Sequence, residues 1–252
     1  MSSQSNDSGS WWGFYAVRYA MGTVVGGAIF YFLASKIEAL RPMLFLTADG
    51  KIEMPQIVLL AAYGMTYCYI ASAPILVFHA SRFLIRLEFF SGWVDFFISL
   101  FNFIIPFSIL FLFGYGGGWS SFYWSVMLIT SLVLWFQVVG VFFCIKNSSA
   151  MYKFYKVLAK KRIKAEELGL ADSYRHLREH GNSFLIVVLE IFLAVVLFTI
   201  SGVAENNSDA SMSSGEFFQI LFGFLFLWMF PAACVWLIGT IFERRLQEDT
   251  TI

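Results

Sequence analysis

Long apolar runs, broken by short polar or glycine-rich stretches, dominate the chain. Six windows are apolar over about 20 residues, the length that crosses a bilayer core: roughly 14–34, 56–80, 94–114, 122–145, 183–203 and 217–242. Each predicts a helix, which satisfies its own backbone hydrogen bonds in lipid. The first is the least apolar, because it carries Arg18 and several glycines. Trp11, Trp12, Trp93, Trp119 and Trp124 fall at the proposed ends, where amphipathic rings favour the membrane–water interface. The glycine-rich Gly114–Gly118 stretch around Tyr115 predicts a tight turn between the third and fourth spans.

The expected fold class is therefore an all-α integral membrane protein, a polytopic bundle of about six transmembrane helices. A polar tail (1–13) precedes spans 1–4 (14–145). A basic cytoplasmic segment (146–182) leads to spans 5 and 6 (183–242) and a short tail (243–252). The MSSQSNDSGS start has no basic residue ahead of the apolar run, so the first span is expected to be retained, not cleaved as a signal peptide.

Composition agrees. Hydrophobic residues make up 59% of the chain and charged residues 13%, against about 45–50% and about 25% in soluble domains. Net charge is zero, but its placement is uneven. Counting Arg18, Arg82, Arg86, Arg244, Arg245 and the basic residues of 146–182, fourteen of the seventeen Lys and Arg fall on one side if both termini are inside. Only Lys36, Arg41 and Lys51 fall on the other. The positive-inside rule then predicts cytoplasmic termini in an inner or plasma membrane. Cys68, Cys144 and Cys234 lie in apolar runs and are expected to be buried free thiols.

Residues 146–182 are the one sizeable polar element. Met151, Phe154, Tyr155 and Leu158 share one helical face, and Lys153, Lys156, Lys160 and Lys164 share another. With Lys161 and Arg162 these lysines form a candidate surface for anionic lipid or a cytosolic protein partner. A first helix, capped by Ser148 or Ser149, should end near Gly169. A second, from Asp172 or Ser173, should stop at Gly181, with Asn182 or Ser183 capping span 5. Nucleic acid is not expected as a partner, because no nucleic-acid-binding motif is present.

Polar residues inside apolar spans are costly and mark either helix contacts or hydrated sites. The candidates are Arg18, Asp95, Ser99, Asn102 and Glu190. Asp95, Ser99, Asn102 and Pro106 form one stripe of span 3, and Thr130 and Gln137 sit seven apart in span 4. Asn182 and Ile186 share the face of Glu190. Gly22 and Gly26 form a GxxxG pair with Arg18 one turn earlier. Pro74, Pro106 and Pro231 are expected to kink spans 2, 3 and 6.

Two short motifs carry possible chemistry. His176-Leu-Arg-Glu179-His180 resembles the H-x-x-E-H pattern of inverted zinc peptidases. That likeness implies two histidine ligands and a glutamate base, with Arg175 and Arg178 beside them. Arg178-Glu-His180-Gly-Asn182 resembles the R-x-H-x-N segment of the membrane-associated glutathione-metabolising (MAPEG) family, which implies glutathione chemistry. That family places a glutamate where Leu185 stands here. The leading expectation is a non-enzymatic membrane component without metal or cofactor. It would be a small pore or a membrane-embedded sensor or effector, self-associating and coupled to a cytosolic partner, of the kind used in bacterial stress or phage defence. The alternative is a membrane enzyme using His176, Glu179 and His180.

Overall fold

In a computed structural model, the backbone is described over residues 8–45, 54–86, 121–167, 171–206 and 214–250, with isolated positions Leu100, Phe101, Ile104 and Ser108. Side chains are described over 19–45, 54–84, 121–161, 181–202 and 215–248 and at the same isolated positions. Among the described residues every element is helical: α1 (Ser8–Lys36), α2 (Met54–Ala71), α3 (Ala73–Ser81), α4 (Ser121–Lys146), α5 (Ser148–Glu167), α6 (Ala171–Asn206) and α7 (Ser214–Thr250). Short 3-10 turns cover Glu38–Leu44 and Arg82–Arg86.

Among the described residues, four stretches are long and apolar enough to cross a membrane: Met54–Leu84, Ser121–Lys146, Gly181–Gly202 and Gly215–Glu248. They match the second, fourth, fifth and sixth expected spans. The first expected span lies in α1, whose 29 residues reach about 43 Å. Its glycines, Thr23, Ser35 and Lys36 dilute its apolar character, and it is not among the four. The expected third span, with Asp95, Ser99, Asn102 and Pro106, lies outside the described residues apart from the isolated positions.

Burial departs from the soluble pattern for several large apolar and several polar side chains. Phe184, Trp236, Phe222 and Phe226 lie 60% or more exposed. Thr130, Ser131, Gln137, Glu190 and Thr199 are almost wholly buried. In water this arrangement would expose too much apolar surface. In lipid it is the favourable one, because hydrocarbon covers the large apolar side chains and the polar groups turn inward.

The chain divides into two compact units. The first holds residues 1–72 and 175–194. Here α1 and α2 approach backbone to backbone. A methyl group on Gly26 would stand 2.5 Å from the Gly64 carbonyl oxygen, and one on Gly64 would stand 2.2 Å from that of Thr23. No side chain fits this crossing, so the GxxxG pair of α1 serves as a helix contact, with Gly64 as its counterpart. Phe30 stacks on Tyr63 at 4.4 Å beside it. The Tyr63 hydroxyl donates to the Met43 carbonyl, which fastens the 3-10 turn to α2.

The second unit holds residues 73–174 and 195–252. Trp228 of α7 is fully buried, and Gly140 of α4 leaves room for Val77 and Ser81 of α3. The break between α2 and α3 falls at Ser72, two residues before Pro74. Pro74 has no amide hydrogen to bond the carbonyl one turn back and fits the first turn of a new helix, so the expected disruption of span 2 has a local cause. Pro231 lies inside α7.

Two boundaries differ from the sequence reading. Asn147, not Ser148 or Ser149, opens α5, its carbonyl accepting from the Met151 amide. And α6 continues through Gly181 into the fifth span, so neither Asn182 nor Ser183 caps a helix there. An internal glycine costs only about 1 kcal/mol relative to alanine. Ending the helix would instead free backbone groups at the edge of an apolar run, which is dearer.

Candidate functional site

The hydroxyls of Thr130, Ser131 and Thr199 close bonds within their own helices. Thr130 donates to the Val126 carbonyl at 2.7 Å, Ser131 to Met127 at 2.8 Å and Thr199 to Val195 at 2.7 Å. Each side chain is short and can donate to the carbonyl one turn back. These residues are polar in the sequence but chemically quiet in the structure.

Glu190 has no such escape. An ionised carboxylate only accepts hydrogen bonds, and in mid-helix every backbone N–H is already used. Glu190 is fully buried, and neither carboxyl oxygen has a hydrogen-bond partner. It lies nine residues after Gly181 and twelve before Gly202, about 14 Å and about 18 Å along the helix. The carboxyl is therefore close to the middle of its span. Ile186, on the same face as expected, is buried with it, as is Leu193.

Two helices of the first unit meet at this carboxyl. Gly22 sits midway along α1. A methyl group there would lie 3.3 Å from Glu190 Oε1 and 2.3 Å from Cys68 Sγ, so acid and thiol converge on the space a side chain would fill. Cys68, near the middle of Met54–Leu84, is a buried free thiol beside the carboxyl. The neighbouring Tyr67 hydroxyl donates to the Glu190 backbone carbonyl at 2.9 Å. The tyrosine thus fixes α6 against α2 and leaves the carboxyl itself unpaired.

Sequence reasoning singled out Glu190 and Gly22 but read Cys68 only as a buried thiol. The Arg18 side chain lies outside the described residues, one turn before Gly22 in α1. Asp95, Ser99 and Asn102 lie outside them entirely. So do the side chains of His176, Glu179 and His180, although α6 carries all three on helical backbone. Among the described residues no group of three His, Cys, Asp or Glu is placed to hold a metal ion. In the second unit Gln137 is also fully buried, with both amide atoms unpartnered.

The basic surface is partly described. On α5, Met151 is buried and Phe154, Tyr155 and Leu158 are half-buried, as their shared face implies. The Tyr155 hydroxyl donates to the His79 and Ala80 carbonyls at the end of α3, and Tyr152 packs edge-on against Phe242 of α7. Lys153, Lys160 and Lys161 are exposed, and Lys156 lies over the Tyr152 ring. The side chains of Arg162 and Lys164 lie outside the described residues. No protein-family model, curated protein or solved structure matches this chain.

Proposed function

We propose that this chain is a non-enzymatic, six-span component of an inner or plasma membrane with both termini in the cytoplasm. In this reading it is a small pore or a membrane-embedded sensor or effector that self-associates. The single observation that carries the reading is Glu190, a fully buried carboxyl without a hydrogen-bond partner near the middle of an apolar helix. A group that only held helices together would be paired, because an unpaired polar group in an apolar interior costs free energy and returns none. Intramembrane acids are costly to keep and mark ion pathways and proton relays.

Coupling to the cytoplasm is the second part of the proposal. Helix α5 is joined to the membrane helices through Tyr155 and Tyr152, and its exposed lysines are free to meet anionic lipid or an acidic partner. An event on α5 would then be felt at the end of α3, where Tyr155 holds two terminal carbonyls.

Reconstitution tests the pore reading. Liposomes holding the purified protein and a pH- or cation-sensitive dye should lose an imposed gradient faster than empty liposomes. Vesicles that keep their gradient under both voltage polarities would remove the pore, and partner capture from native membranes through residues 146–182 would then decide the sensor reading.

A further inference from the structure

We propose that Glu190 is an exchangeable proton-binding site inside the membrane, with the Cys68 thiol as the neighbour that contacts its acid form. The inference deepens the functional reading above and rests on it, by naming the species that the buried carboxyl holds. Facing Glu190 are Gly22 from α1, which brings no charge, and the Tyr67 hydroxyl and Cys68 thiol from α2. The Tyr67 hydroxyl is committed to the Glu190 backbone carbonyl. No basic side chain among the described residues pairs with the carboxyl.

The surroundings select the ligand. A metal ion takes about four to eight donors, and here two oxygens and one sulfur converge. Space is equally short, since even a methyl group on Gly22 would stand 2.3 Å from the Cys68 sulfur. A hydrated cation does not fit, whereas a proton needs no room. Its binding converts –COO⁻ to –COOH, removes the buried charge and gives the group a donor it otherwise lacks. Its release returns the proton to water and the charge to the site.

Infrared spectroscopy of the full-length protein in lipid reads this proton directly. A protonated carboxyl absorbs above the amide band and shifts down in D₂O. We expect such a band in the wild type, its loss in Glu190→Gln, its downshift in D₂O and its reversible decline as pH is raised. Glutamate labelled with ¹³C identifies the band even if the glutamine variant fails to fold. Cys68→Ala should shift the band, because the thiol contact is removed. No glutamate acid band at any pH, or one that ignores both pH and D₂O, overturns the proposal. An unshifted band in Cys68→Ala overturns the part given to the thiol. Because the readout is the proton and not flux, a protein that shows the band and passes no ion fails the pore reading alone.

Discussion

At the scale of single residues, the contrast between Thr130 and Glu190 sets the chemistry. Both are buried in apolar helices, but the threonine hydroxyl is satisfied one turn back and the carboxyl is not. A buried polar group without a partner costs about 1–3 kcal/mol. Replacing Glu190 by leucine should therefore leave the fold intact and raise its stability by about 1 kcal/mol or more. The measurement is the thermal midpoint in detergent, and a lower midpoint for Glu190→Leu would show that the carboxyl fastens helices. Glu190 was legible in the sequence, as an acid inside an apolar run. Its proximity to Cys68 was not, because the two residues lie more than a hundred positions apart and no local pattern encodes that register. The small residue at Gly22 was the one visible hint, since it allows the close approach on which both groups depend.

Helices are the next scale, and there the glycines of α1 and α2 are the most exacting feature. Gly64→Leu would drive a side chain into the α1 backbone, which should cost about 3 kcal/mol or more. Gly239→Ala, where nothing lies within 4 Å, should be neutral or stabilising by up to about 1 kcal/mol. Unfolding of both variants in detergent checks the pair, and equal effects would contradict a backbone-to-backbone crossing. Among the described residues, element existence was readable from the apolar windows and the amphipathic face of α5. The continuity of α6 was not, because Gly181 looks like a stop when only the local sequence is weighed. The same scale holds the lysine surface. In anionic bilayers Lys153, Lys160 and Lys161 should be protected from an amine-reactive reagent relative to zwitterionic bilayers, and salt should abolish the difference. Each is worth about 1 kcal/mol near such a surface. Equal reactivity in both bilayers would favour a protein partner.

For the whole molecule, four apolar spans stand in the described residues, and the six-span arrangement is the proposal that extends them. Single cysteines at Ser120 and Ser208, in a cysteine-free background, should react with an impermeant thiol reagent from outside, and one at Ser148 only after permeabilisation. Labelling of Ser148 in intact cells would reverse the orientation that the lysines and arginines imply. The central claim is that the ionisation of Glu190 is what works, while the fold does not depend on it. Its most direct test is dissipation of a proton or cation gradient by liposomes carrying equal amounts of folded wild type or Glu190→Gln. The glutamine keeps the size of the side chain and removes its ionisation. The account predicts that wild-type vesicles dissipate the gradient and that Glu190→Gln vesicles behave as empty ones, with the same detergent melting midpoint. Equal dissipation by both proteins would contradict it.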